Sequence, residues 1–204
     1  LLLALDARVI LVSMKSKIGV WPVQVAERLL PLEEFFVAYR KTALRPAEIL
    51  QTIIVPRGTL EPGASRKCVW YKVSKRREMD ISTVAACFRL DLDATGEVRH
   101  ARLAYGGVAP MPARARKTEL ALFGKRWCEE TLKAVLPVLA AEFTPISDLR
   151  GSADYRRALI TSLFEKFYFE ATESVAQHPS CREVGRAVTC APSSDQACAS
   201  GSGG

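Results

Sequence analysis

The chain has 204 residues, 49% of them hydrophobic and 25% charged, with a formal net charge of +7. That is the make-up of a globular protein with one or two small domains and a core of its own. A pI near 9.2 suits an anionic cofactor, nucleic acid or an acidic partner surface and selects none of them. The run Leu1–Leu5 is interrupted by Asp6 and Arg8 and lacks the basic flank of a signal peptide. No stretch reaches the ~18 uncharged apolar residues of a helical span, so a soluble, cytoplasmic chain is expected. It opens on Leu1 rather than Met, so a fragment or a processed product is expected. Cys68, Cys87 and Cys128 are scattered, and Cys181, Cys190 and Cys198 fall in a polar tail. With only His100 and His178 besides, no zinc or iron–sulfur ligand spacing exists, and free thiols are expected.

In chain order, Arg8 to Val12 reads as a buried strand and residues 13 to 31 as irregular. Pro31 opens a helical turn over Leu32–Phe36. Ile49 to Val55 reads as a strand closed by Pro56, and residues 57 to 66 as a Gly- and Pro-rich loop. Three strands follow. Cys68 to Ser74 is the first. In the second, Val84, Ala86, Phe88, Leu90 and Leu92 share a core face, with Thr83, Arg89 and Asp91 on the other. A hairpin turn at Asp93–Gly96 leads to the third, Val98 to Tyr105. The period then turns helical. Leu132, Val135, Leu136 and Leu139 mark one helix despite Pro137. Leu159, Leu163, Phe164, Phe167 and Ala171 mark a longer one capped by Gly151-Ser152. After Glu173 no apolar period remains, and residues 173 to 204 are expected to be disordered. The class is α+β: a three-stranded antiparallel sheet packed on a helical bundle.

Two clusters carry chemistry. Tyr71-Lys72-Val73-Ser74-Lys75-Arg76-Arg77-Glu78-Met79-Asp80 sets four cations beside a hydroxyl and a carboxylate, a group suited to a phosphorylated ligand or simply to a solvated strand end. Tyr39-Arg40-Lys41-Thr42 places an aromatic beside a guanidinium, suited to a planar ring or to open solvent. Tyr105-Gly106-Gly107 permits a close approach of backbone or ligand, or merely a turn. No P-loop, GxGxxG, GxSxG or HExxH is present. With no RNP-like or helix-turn-helix signature and few aromatics near its cations, the chain is not expected to bind nucleic acid.

The clusters stand in a fixed order. Phe35-Phe36-Val37-Ala38-Tyr39-Arg40-Lys41-Thr42-Ala43-Leu44-Arg45-Pro46-Ala47-Glu48-Ile49-Leu50 comes first, then Tyr71 to Ser82, then Ala101-Arg102-Leu103-Ala104-Tyr105-Gly106-Gly107, then Phe143 to Arg156. From about residue 1 to about residue 170 the chain resembles the flavin domain of the xanthine dehydrogenase family, within the CO dehydrogenase flavoprotein C-terminal domain superfamily. The resemblance implies an oxidoreductase module that passes electrons from 2Fe-2S clusters through FAD to NAD during purine oxidation. It implies a molybdopterin-binding large subunit as partner and no membrane. By the same resemblance, residues 1–38 end an α/β FAD-binding subdomain and 39–172 form the family's C-terminal domain. Tyr39 and Arg40 match the pair near the flavin ring, Leu50 an apolar contact, Lys72 a lysine near the cofactor. Arg76 and Asp80 match groups of the loop beside the ring. Met79 stands where a polar or acidic residue is common. Gly19 is the only glycine before Gly58, so the family's pyrophosphate-cradling loops are expected N-terminal to Leu1, and the chain alone is expected to be inactive. The alternatives are the flavoprotein of another molybdenum hydroxylase, of carbon monoxide or aldehyde type, or a non-catalytic interaction module.

Overall fold

Strand β1 (Arg8–Met14) is the centre of the first sheet because Val9 and Leu11 on one face are fully buried. A computed structural model describes residues 1–15, 24–76 and 80–176, with side chains to residue 172. Gly19, Arg77, Glu78, Met79 and the expected tail beyond residue 176 lie outside the described residues. Leu1–Phe169 form one compact unit. Glu170–Gly204 form a second, of which the helix end through Ala176 is described. Residues 173–176 are therefore helical rather than tail.

Strand β2 (Val25–Pro31) pairs antiparallel with β1, so this part of the stretch read as irregular is ordered. The charges of Glu27 and Arg28 obscure its pattern. Arg28 tolerates partial burial because its guanidinium donates to both Glu48 carboxylate oxygens, at 3.2 and 2.6 Å. A single turn, α1 (Leu32–Phe35), follows Pro31 as the sequence predicts. Strands β3 (Phe36–Ala38) and β4 (Lys41–Thr42) form a tight hairpin. Strand β5 (Glu48–Ile54) returns to β1 and completes the order β2-β1-β5.

The second sheet has the order β6-β7-β8-β9, all antiparallel: β6 (Ser65–Val73), β7 (Val84–Leu92), β8 (Val98–Gly106) and β9 (Ala113–Arg114). The three long strands are those predicted. The two-residue β9, too short to show a period, adds an edge. Helices α2 (Arg116–Leu122), α3 (Glu129–Ala140) and α4 (Ala153–Ala176) follow. Ser152 caps α4 by accepting from the Tyr155 N–H at 3.2 Å. Among the described residues no helix is long and apolar enough to cross a membrane.

One face of the second sheet meets the helices through aromatic rings. Phe88 lies 5.1 Å from Tyr105, 5.9 Å from Phe164 and 5.4 Å from Phe167, centroid to centroid. The Tyr105 hydroxyl donates to the Ile160 carbonyl at 2.9 Å. Burial, aided by the Glu142 charge, holds its pKa well above the usual value. The buried stripe of α4 runs through Arg156, Ile160, Leu163, Phe164, Phe167 and Tyr168. The sequence reading put Leu159 there instead of Ile160. A buried arginine starting the stripe shifts its phase by one residue.

The opposite face is covered too, which corrects the expected one-sided sheet. Cys87 and Ala104 pack into one apolar cluster with Leu3, Ala4, Ala7, Val9, Leu11, Leu32 and Phe35. Thr83, Arg89 and Asp91 are buried rather than open. The two charges are admitted because they pair with each other and with Arg66: Arg89 Nη2 and Arg66 Nη2 each lie 2.8 Å from Asp91 Oδ2. Burial opposes ionisation of Asp91, but the donors Arg66 and Arg89 prevail and hold its pKa below the usual range. Asp6 behaves likewise against its own burial, with His100 and Arg102 as donors. A carboxyl whose pKa is depressed on folding contributes stability above its unfolded pKa and loses it as pH falls. Stability is therefore expected to be level from pH 7 to about 4 and to fall steadily below that, the unfolded aspartate value being ~3.9. Urea unfolding at pH 7, 5 and 3 checks this. An unchanged midpoint at pH 3 would contradict it.

Candidate functional site

The six predicted site residues fall into three separate groups: on β6 and the segment after it, at the tip of the two-stranded β3–β4 hairpin, and on β5. On β6 the alternation that turns Tyr71 toward Phe88, 5.8 Å between rings, sends Trp70 and Lys72 to the other face. Past the strand end, the Ser74 hydroxyl donates to the Arg76 carbonyl at 2.7 Å. The N–H groups of Arg76 and Ile81 donate to the two Asp80 carboxylate oxygens at 3.1 and 2.9 Å. Arg76 Nε lies 3.8 Å from the same carboxylate. Desolvation works against the charge on Asp80. The two backbone donors, with the charges of Arg76 and Lys72, outweigh it and hold the carboxyl ionised below its usual pKa. Lys75 donates to the Leu149 carbonyl at 2.7 Å. Lys72 alone of these three cations has no hydrogen-bond or ion-pair partner among the described residues. Lys72, Arg76 and Asp80 thus form one electrostatic group.

Tyr39 and Arg40 form the second group, at the tip of the β3–β4 hairpin. The Arg40 guanidinium lies 5.3 Å from the centroid of the Tyr39 ring, which is 64% exposed. Arg40 has φ +56°, a left-handed conformation that costs a side chain about 1 kcal/mol. Strain of this kind concentrates where a side chain must point for function. Leu50 stands apart on β5, opposite Leu11, among the exposed apolar residues Ile49, Ile53 and Ile54. Among the described residues no hydrogen bond or ion pair joins Leu50 or the hairpin tip to the Lys72 group.

Besides the apolar cluster, the two larger sheets are joined by an ionic hub that no sequence pattern announces. Asp6, at φ +52° just before β1, accepts from Arg102 Nε at 2.7 Å. It also lies 3.4 Å from His100 Nε2 and 3.5 Å from Arg114 Nη1. Arg114 in turn reaches Glu33 of α1 at 3.2 Å and Glu119 of α2. Asp6 lies 96 positions from Arg102 and 108 from Arg114, so no local pattern announces these pairs. His100 is half-buried in this hub.

A cavity of about 520 Å³ opens beside Lys72. The register explains it: Trp70 and Lys72 stand opposite Cys87 and Ala85, which pair onward to Ala104 and Gly106. Four small residues on the middle strands leave a trough walled by Trp70 and Lys72. Burial, with the Cys68 sulfur nearby, pushes the Cys87 thiol up to about 12, so the floor stays neutral. The volume falls within the ~300–1,000 Å³ of small-molecule pockets. Trp70 was not singled out from sequence, although its place two residues before Lys72 puts both on one strand face.

By residue type the donor set suits the ring end of a flavin: an aromatic and a guanidinium at the hairpin tip and an ammonium on β6, which no hydrogen bond or ion pair joins among the described residues. It does not by itself fit a pyrophosphate, since among the described residues no paired-glycine loop leads into a helix N-terminus. Nor, among them, does any cluster of His, Cys, Asp or Glu suit a metal ion.

A family profile described as the CO dehydrogenase flavoprotein C-terminal domain matches residues 69–171. A xanthine dehydrogenase of Blastobotrys adeninivorans is 38% identical over 175 residues, 83% of this chain and 12% of that protein. A nicotinate hydroxylase of Emericella nidulans is 40% identical over 146 residues, 70% of this chain and 11% of that one. The carbon monoxide dehydrogenase of Hydrogenophaga pseudoflava superposes with a TM-score of 0.65 at 27% identity, covering 81% of this chain and 52% of that one. The chain thus spans about an eighth of the curated relatives and half of the solved one. The matched segment runs from the Trp70–Lys72 strand through α4, the part of the fold that carries the trough, and the chain belongs to the CO dehydrogenase flavoprotein C-terminal domain family.

Proposed function

We propose that this chain is the flavin-facing part of a xanthine dehydrogenase-type molybdenum hydroxylase, an oxidoreductase of the cytoplasm. It acts with the FAD-wrapping, 2Fe-2S and molybdopterin-binding parts of that enzyme and delivers electrons to NAD. The observation that supports this most is Lys72, an ammonium with no hydrogen bond or ion pair among the described residues, at the rim of a cavity in a flavoprotein-family domain. When bound, FAD supplies the exchange between single-electron and hydride transfer. The chain's own residues bind and orient. Arg40 and Lys72 offset negative charge gathering on the ring, Tyr39 packs against it, and Leu50 excludes water from its edge. Asp80 neutralises Arg76 and fixes where that guanidinium lies. The kinship to a nicotinate hydroxylase and a carbon monoxide dehydrogenase supports a second reading with the same cofactor role and another substrate.

In the complete enzyme, Arg40→Ala is expected to slow NAD reduction by about tenfold or more, the effect of losing one charge-assisted contact of roughly 1.5–3 kcal/mol. Substrate hydroxylation with an artificial acceptor that takes electrons upstream of the flavin should be unchanged. If both rates fell together, Arg40 would not act beside the flavin.

A further inference from the structure

The Lys75–Leu149 hydrogen bond joins two segments 74 positions apart, and what stands behind the carbonyl is unusually well fixed. Leu149 lies in a turn closed by Asp148 N–H to the Gly151 carbonyl at 3.0 Å and by Arg150 N–H to the Asp148 carboxylate at 2.7 Å. The Thr83 hydroxyl donates to the Arg150 carbonyl at 3.0 Å. Beneath the turn lies Arg156, 3% exposed. Its Nη2 donates to Asp148, and its Nη1 to the carbonyls of Thr83, at 2.9 Å, and Gly107. Gly107, at φ +82°, admits this approach: a Cβ there would sit 2.4 Å from the Thr83 carbonyl oxygen. Among the described residues, Arg156 Nε is buried with no partner. A buried ion pair rarely stabilises more than apolar residues of the same size would, and an unpaired buried donor adds to its cost. Stability therefore does not account for this arginine, whereas position does.

We propose that Arg156 and Asp148 are positioning residues. They hold the Leu149 carbonyl where it captures the Lys75 ammonium, which anchors the chain between Ser74 and Arg76 and leaves Lys72, among the described residues, as a cation at the cavity with no hydrogen bond of its own. The consequence for a cofactor rests on the function proposed above, but the geometry does not, and the test involves no flavin.

The experiment is competitive acetylation of the 204-residue chain with limiting acetic anhydride, reading each lysine by peptide mass spectrometry. In the wild type, Lys75 should react roughly tenfold more slowly than Lys72, a factor equivalent to about 1.4 kcal/mol. In Asp148→Asn and Arg156→Gln, Lys75 should rise to within about twofold of Lys72, whose own rate is unchanged. Arg156→Lys, which keeps a cation against Asp148, should restore most of the protection. A merely structural role would lower the melting temperature and leave the Lys75 to Lys72 ratio as in the wild type, and that result overturns the proposal. So would equal rates in the wild type. Should Arg156→Gln fail to fold, Asp148→Asn decides, because that side chain is 30% exposed at the surface end of the brace. Either failure leaves the flavin reading standing, since no cofactor takes part.

Discussion

Phe88→Ala should lower the unfolding free energy by about 3–5 kcal/mol, the loss seen when a fully buried phenylalanine leaves a cavity. The ring is 0% exposed at the centre of β7 and touches Tyr71, Tyr105, Phe164 and Phe167. These partners belong to β6, β8 and α4, so no single shift closes the hole. Tyr105 is further held by its bond to Ile160. For a domain stable by some 5–15 kcal/mol this removes a large share. Urea unfolding measures it, and the slope of the transition should be unchanged. A loss under 1 kcal/mol would mean that the sheet and helices do not share this core. Phe88→Leu should cost much less, since most of the volume is kept.

The second large effect concerns affinity. A dinucleotide is usually gripped through its phosphates by backbone donors at a glycine loop and helix N-terminus. The described residues provide the groups proposed for the ring side and no such loop. Each charge-assisted hydrogen bond is worth roughly 1.5–3 kcal/mol, and three or four are absent together. At about 1.4 kcal/mol per tenfold, a site that would bind in the nanomolar range falls to the millimolar range or weaker. Equilibrium dialysis of FAD against the 204-residue chain is expected to give such a value. Joined to a dinucleotide-cradling segment, the same chain should gain several orders of magnitude.

Much of the fold is legible in the sequence because its strongest elements obey one period each. The alternation of Val84 to Leu92 marks β7, and Leu132, Val135 and Leu139 mark α3. The pattern is lost where charges enter the interior. Arg28 conceals β2, Arg156 displaces the stripe of α4, and Arg89 with Asp91 makes a face covered on both sides look open. Each of these charges is compensated by a partner 2 to 73 positions away, which a local period does not register. The site is legible only in part for a similar reason. Tyr39-Arg40 and Lys72 stand out as residue types, but the trough beside Lys72 arises from small residues meeting across two neighbouring strands. Asp6, which ties the two sheets together, has nothing in its neighbourhood to mark it. The phase of β6 does place Trp70 beside Lys72, and a reading that followed exposed aromatics would have found it.

The central claim is that Tyr39, Arg40, Leu50, Lys72, Arg76 and Asp80 face a flavin ring. Amide chemical-shift mapping of this 22.4 kDa chain during titration with FAD into the millimolar range tests it most directly, because the method sees weak binding and says where it occurs. Fast-exchange shifts are expected, centred on Tyr39, Arg40, Leu50 and Lys72 and spreading to Arg76 and Asp80, with an affinity in the millimolar range. Shifts confined to other surfaces, or sub-micromolar binding that those residues do not sense, would contradict it.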